Sequence, residues 1–512
     1  MPAEARGGDA VFLYTAAPAA RGISGAQSAE TGLLHALAAP GVLDRLRVFA
    51  RDPLPGLPAH VEQLPLAAMP ESLARDPPEY GLVPFALAAQ LAYLRDRGPR
   101  PFPLLGYVHS LATLEVKQGL ARTMRSPWHG NDVALCASPA AAQALGSILD
   151  EIEEDFAGLP LVRPQLAPCP IGIDPAECNS VDRAAARAAF GLGDSTIAFA
   201  VVGRLSPASK MDLAPLLLAL AGVRSRAPIV LLIAGQEQFA GYRALLQARA
   251  AELGIAARVR FVEDDSRAAI LTVFAAADVF LAPSDNPQES FGIALVEALA
   301  HGLPVIASDW NGYRGVLAQT GAALLIPTLA APPDPAAAAA AFYRGPRAIA
   351  LHLAQTVAVD VAALRRAIAA LADDPARRVA MGAAARAAAR DYAWPKVVAR
   401  IRTLAAEAAR APVRSPAAGI GTYRLDWARH FGHYPSTLLD RQRLRGSAAP
   451  APGALIDWLA DKAGLDPAAI ATLRAEAADR RPIRLDPADG ARTRAAAFLL
   501  KQGILEVEGE EG

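Results

Sequence analysis

The residues best placed to do chemistry lie in one stretch, Asn286-Pro287-Gln288-Glu289-Ser290-Phe291-Gly292-Ile293-Ala294-Leu295-Val296-Glu297. Two glutamates stand eight positions apart around a Ser-Phe-Gly turn. The run before it, 278–284, reads as a strand, and the run after it, through Ala300, reads as an apolar helix. A strand that ends in a glycine turn and restarts as a helix points backbone N–H groups and a positive helix end at one spot, which suits a phosphate. Glu289 precedes the helix and Glu297 sits more than a turn inside it, so both can border one pocket without sharing a face. Carboxylates beside an anion site make sense as hydroxyl binders. The ligand they imply carries both phosphate and sugar.

The elements that must position these groups alternate between short apolar strands and helices. In the first 180 residues, Val11-Phe12-Leu13-Tyr14 reads as a strand, followed by a loop containing Gly22 and Gly25 and a helix from about Ser28. Further strands are expected at Arg47-Val48-Phe49, at 104–108 and at 133–136. Helical segments between them imply parallel βαβ units and an open, doubly wound sheet. A second such domain is expected from about residue 195. Two domains of this kind face each other across a cleft lined by strand C-termini and helix N-termini.

Composition narrows the function classes. A chain of 512 residues can bury two or three cores. Its 51 basic and 51 acidic residues balance, which argues against a nucleic-acid protein. Cys136, Cys169 and Cys178 form neither a disulfide framework nor a zinc spacing. The N-terminus has no signal-peptide pattern, and no apolar run reaches membrane-spanning length. The expected location is the cytoplasm, with contact at the inner face of a membrane as an option.

The motif resembles the Glu-x7-Glu signature of glycosyltransferase family 4, the retaining nucleotide-sugar glycosyltransferases of the GT-B fold. Three further landmarks are similar to that family, in its order, across residues 195–327. Val201-Val202-Gly203-Arg204-Leu205-Ser206-Pro207 with Lys210 resembles its Gly-Arg-Leu…Lys strand and loop; residues 229–235 resemble its next core strand; Gly302-Leu303-Pro304-Val305-Ile306-Ala307-Ser308-Asp309 resembles the strand after the motif helix. Tyr392-Ala393-Trp394 looks like its closing segment, which returns to the first domain. The implied fold is α/β: two Rossmann-like doubly wound domains facing a cleft, 1–180 for the acceptor and 181–412 for the nucleotide sugar, plus a small, mainly helical extension over 413–512.

The resemblance also implies roles. Arg204 and Lys210 would hold the donor's diphosphate without a metal or other cofactor, the donor being a UDP- or GDP-sugar or a similar conjugate. Fixed cations in a partly dry cleft can stabilise the charge that develops as the glycosidic bond breaks. Glu289 would face the transferred sugar beside the amides of Phe291 and Gly292, with Ser290 in the same turn. Glu297 would bind the ribose hydroxyls. His109, at the end of a first-domain strand, resembles a histidine placed near the donor sugar, and Gly22 and Gly25 resemble a loop that approaches the diphosphate. Asp264 and Asp265 fall near the family's nucleobase site, although a solvated turn is the simpler account of both. Two departures stand out. The Arg204-to-Lys210 gap is one residue longer than the family's commonest spacing, and Trp310-Asn311-Gly312-Tyr313-Arg314-Gly315 replaces the Gly-Gly pair and nearby glutamate of many relatives. Those bulky aromatics and Arg314 fit a subgroup with a different donor or domain interface.

Outside that plan, 327–345 is an alanine- and proline-rich insertion, expected as a surface loop and short helix. The extension splits at the small-residue linker 446–453, and its last part reads as a small helical or winged-helix-like module. It lacks the basic cluster of a nucleic-acid binder. Docking of a partner or of a second copy, as a dimer, is the expected role. The stretch 117–129, with Arg122, Arg125 and Trp128, reads as a solvated helix face or as a contact for lipid or glycan. The function expected is transfer of a sugar to a hydroxyl on a glycan, lipid or small molecule. A GT-B-shaped nucleotide-sugar epimerase and a non-catalytic scaffold are the alternatives.

Overall fold

The computed structural model describes residues 8–15, 25–84, 88–96, 98–109, 111–125, 128–331, 345–413, 439, 443–447, 454–479, 482–486 and 488–508. They fall into two compact units, divided after residue 423. In the larger unit β1 (Asp9–Leu13), β2 (Arg45–Ala50), β3 (Glu62–Pro65), β4 (Tyr80–Pro84), β5 (Leu104–Val108), β6 (Val133–Cys136) and β7 (Gln165–Pro168) form one sheet. Its order is β3-β2-β1-β4-β5-β6-β7, with every pairing parallel. A second parallel sheet contains β8 (Ile197–Val202), β9 (Ile229–Ala234), β10 (Val259–Val262), β11 (Val279–Ala282), β12 (Val305–Ser308) and β13 (Ala323–Ile326), in the order β10-β9-β8-β11-β12-β13. These are two doubly wound sheets of the GT-B arrangement.

Strands β5, β6, β8, β9, β11 and β12 are buried along their whole length. Helices cover both faces of a parallel sheet, so such strands read as unbroken apolar runs. A buried polar knot fixes the start of β5. Arg95 donates to Asp132 at 2.6 Å and to the Phe102 carbonyl at 3.0 Å, while Asp132 accepts the Leu104 N–H at 2.8 Å. The closing helix, Trp394–Arg410, returns to the first sheet. Backbone bonds between Ile173 and residues 392 and 394, at 2.8 and 3.1 Å, tie its start to the linker. Near its end the Asn131 side chain donates to the Ala408 carbonyl at 3.0 Å.

The insertion after Pro327 contains an antiparallel pair, β14 (Thr328–Ala330) with β15 (Val357–Val359), and a helix, Gly345–Ala354. Its alanine-rich part, 332–344, lies outside the described residues. Trp128 corrects an expectation: it is 2 % exposed and part of the first-domain core, so it faces neither lipid nor glycan. Arg122 and Arg125 remain exposed on the helix Leu114–Arg125, and Lys117 is engaged by Glu151 and Asp155.

The smaller unit has helices Ala454–Lys462, Pro467–Ala478 and Gly490–Lys501, with a core that includes Leu444, Leu473, Leu499 and Leu505. Its strands β16 (Leu444–Gly446) and β17 (Leu505–Val507) pair antiparallel. Because they come from the two ends of the module, their ribbon closes it and is not a hairpin wing. Among the described residues no helix is long and apolar enough to cross a membrane.

Candidate active site in the cleft

In the second sheet the chain order reverses between β8 and β11, the point at which an open α/β sheet leaves a crevice outside its strand ends. The loop after β8 carries Arg204 and Lys210, and the loop after β11 carries Glu289. Polar bonds stitch the two loops together. Ser284 Oγ donates to the Lys210 carbonyl at 3.1 Å, and Asn286 Nδ2 donates to the Ala208 carbonyl. A cavity of about 730 Å³ opens there. Its walls include His109, Arg204, Lys210, Glu289, Ser290, Phe291, Gly292 and Glu297, so eight sequence-predicted residues meet in one place.

Lys210 and Glu289 form an ion pair through Nζ and Oε2. Burial pushes the Glu289 carboxyl up, but Lys210 and the Phe291 N–H, which donates to Oε1 at 3.3 Å, outweigh it and hold the group below the usual carboxylate range. Glu289 is therefore an anion at neutral pH. Arg204 extends along the same wall and donates to Gln238 Oε1 at 3.1 Å.

Gly292 caps the helix Ile293–Ala300 in the left-handed conformation, φ 88°. A Cβ there would sit 2.4 Å from the Tyr313 ring. Glycine thus lets the turn open the helix with its free N–H groups toward the cavity. One turn on, Glu297 is 7 % exposed and accepts from Arg267 at 2.5 Å. Arg267 also binds both oxygens of Glu177, at 2.9 and 3.0 Å. Burial raises the Glu297 carboxyl pKa, and the Arg267 guanidinium only partly offsets that.

The first domain supplies the opposite wall. His109 follows β5, stacks on Tyr107 with ring centroids 5.9 Å apart, and has its pKa lowered by burial, so its imidazole is neutral at pH 7. Ser290 joins the two walls: its hydroxyl donates to the His109 carbonyl at 3.3 Å, and its carbonyl accepts from Ser138 Oγ at 2.7 Å. Gly25 begins the helix Gly25–Leu37, whose Ser28 reaches the cavity; Gly22 lies outside the described residues. Asp265 borders the cavity, whereas Asp264 is exposed and caps the Ser266 N–H at 2.8 Å. Among the described residues no group of three or more His, Cys, Asp and Glu is arranged to hold a metal.

Three further residues touch the site through contacts that the motifs do not specify. Tyr313 OH lies 3.4 Å from Glu289 Oε2. Ser138, at the end of β6, is an ordinary helix cap by pattern. Arg267 did carry a signal: it stands in the first turn of the helix Arg267–Ala276, where the dipole disfavours a cation. A local rule broken in this way marks a residue serving something beyond its helix. In the aromatic stretch after β12, Trp310 Nε1 donates to the Asn286 carbonyl at 3.1 Å, and Gly315 rests on Pro139 of the first domain. Those residues brace the motif loop and the domain interface.

Comparison with known proteins bears on the domain that carries this site. Residues 182–344 match the family model described as glycosyl transferases group 1. The chain is 33 % identical over 296 residues to a D-inositol 3-phosphate glycosyltransferase of Mycobacterium sp. (strain KMS), which covers 54 % of this chain and 62 % of that protein. It is 30 % identical over 300 residues to the protein of that name from Rhodococcus erythropolis (strain PR4), covering 56 % and 65 %. The chain thus spans less than two thirds of the length of these curated relatives. Among solved structures it is similar to Anabaena HepE in complex with UDP, with a TM-score of 0.56 and 17 % identity over 78 % of this chain and 100 % of that one. Sucrose-phosphate synthase from Thermosynechococcus elongatus gives 0.52 and 19 %, over 78 % and 98 %. At such identities the likeness is one of fold. Residues 182–344 are therefore a glycosyl transferases group 1 domain, set in a chain of GT-B fold.

Proposed function

We propose that the chain transfers a sugar from a nucleotide-sugar donor to an acceptor hydroxyl, with retention at the anomeric carbon and no metal requirement. One observation carries this reading: the Lys210–Glu289 pair sits at the switch point, beside the free N-terminus of the Glu297 helix, in one cavity. A diphosphate laid on that helix end would meet Arg204 and Lys210. Ribose hydroxyls would meet Glu297, held in place by Arg267. The sugar would then lie between Glu289 and His109.

In the reaction the bond from the anomeric carbon to the phosphate oxygen breaks, and its electron pair leaves on the diphosphate. Arg204 and Lys210 stabilise that charge, and ionised Glu289 faces the positive charge growing on the sugar. The acceptor oxygen bonds to the anomeric carbon on the same face, and its proton passes to the departing phosphate oxygen. Neutral His109 orients a sugar hydroxyl without adding charge. The UDP bound to Anabaena HepE makes UDP-sugars the first donors to try.

The test is release of nucleoside diphosphate from UDP- and GDP-sugars by wild type and by Glu289→Gln. A release of ~10²–10³-fold lower rate in the variant supports the assignment. Equal rates contradict the role of Glu289. A free epimerised sugar would favour the epimerase reading, and neither binding nor release would favour a scaffold.

A further inference from the structure

Glu289 Oε2 has two side-chain donors. Lys210 contacts it directly, and Tyr313 OH stands 3.4 Å away. If the donor's diphosphate binds as proposed above, the Lys210 ammonium is drawn toward it, because the diphosphate brings more negative charge than the single carboxylate of Glu289. Glu289 would then lose its closest partner at the moment when its position matters most. Tyr313 cannot follow Lys210. Its ring is 2 % exposed and lies against the Gly292 backbone, where a Cβ would come within 2.4 Å of Cε1. The helix that bears it, Asn311–Leu317, is locked to the same turn, since a Cβ on Gly312 would fall 2.1 Å from the Ser290 carbonyl oxygen.

We propose that Tyr313 is the positioning residue that keeps Glu289 aimed at the sugar once Lys210 turns to the diphosphate. This rests on the glycosyltransferase reading and deepens it. A phenol is suited to the task because it donates one directional hydrogen bond and brings no charge. Burial keeps it protonated at any working pH. A cation in its place would compete with the anomeric carbon for the carboxylate, whereas a neutral donor steadies Glu289 and leaves its charge available.

Tyr313→Phe removes the hydroxyl and keeps the ring. The groups facing Glu289 are Lys210, Arg204, Tyr313 and the Phe291 N–H, and only one of them changes. Two measurements on the full chain test the idea. The first is the ¹³C-carboxylate titration of Glu289 with UDP bound, assigned by its absence in Glu289→Gln; the variant's midpoint should rise by about one pH unit, since a donor to the charged form has gone. The second is donor turnover, expected to show kcat down about tenfold, donor KM within about twofold and the acid limb moved to higher pH. An unchanged midpoint, or a kcat and acid limb equal to wild type, overturns the proposal. UDP melting shifts of equal size in wild type and variant show the donor site intact, so such a result condemns Tyr313's role alone. Wild type that neither binds UDP or GDP nor releases them from their sugars overturns both readings.

Discussion

Lys210 and Glu289, 79 residues apart in the chain, meet as an ion pair where the second sheet reverses its strand order. Each comes from a loop that leaves one of the two strands flanking the reversal, and Ser284 and Asn286 hold those loops together. The pair therefore joins the anion-holding and sugar-facing halves of the site. Replacing Lys210 with alanine should reduce turnover ~10²–10³-fold. It should also move the acid limb of the pH–rate profile upward, because burial then acts on Glu289 without its main opposing charge. Steady-state rates between pH 4 and 8 check both.

Arg267 bridges Glu297 and Glu177, so its effect should fall on binding rather than on the chemical step. For Arg267→Gln, nucleoside diphosphate affinity is expected to fall about tenfold while kcat stays within a few-fold, the pattern of a lost ground-state contact. Glu177→Gln should lie between that variant and wild type. Isothermal titration with the diphosphate, beside kcat from initial rates, separates these outcomes.

Gly312 allows the helix Asn311–Leu317 to touch the motif loop. An alanine Cβ 2.1 Å from the Ser290 carbonyl would push loop and helix apart. Gly312→Ala should lower both the melting temperature and turnover, turnover by at least about tenfold, since a shift of about 1 Å at a catalytic carboxylate can cost ~10²-fold. Thermal melting with parallel rate measurements shows both effects or neither.

Asp285 lies under the same loop and accepts the Asp212 N–H at 3.2 and 3.3 Å. Burial, with the Asp212 carboxylate adding to it, pushes its pKa up to about 7. An acid raised in the folded state contributes fully below its unfolded pKa, near 4. That contribution is lost as pH rises from about 4 to about 7. Asp285→Asn should therefore gain stability over wild type, with a larger gain at pH 8 than at pH 5. Melting curves at the two pH values decide it, and a larger gain at pH 5 contradicts the assignment.

Much of this site was legible before any fold was known. The buried strands β8, β9, β11 and β12 carry unbroken apolar runs, and the glycine turn between β11 and its helix has only one economical conformation. Edge strands β3 and β7 are four residues long, contain proline and carry little apolar pattern, so periodicity does not reveal them. Trp128 looked like a surface aromatic because the surrounding arginines suggested an open face; its ring turns into the core instead. Tyr313 and Ser138 reach the site through packing between elements remote in sequence, which no local rule encodes. Arg267 shows the middle case, a residue whose misfit with its helix is visible although its partner is not.

The account rests on a nucleotide-sugar site built around Glu289 and Glu297, and thermal melting with UDP, GDP and ADP and their sugar conjugates tests it most directly. At ~100 times its dissociation constant a ligand adds about 2.7 kcal/mol of stability. We predict a rise of several degrees for one base, largely lost in Glu297→Ala. No shift with any nucleotide, or an equal shift in the variant, would contradict the assignment.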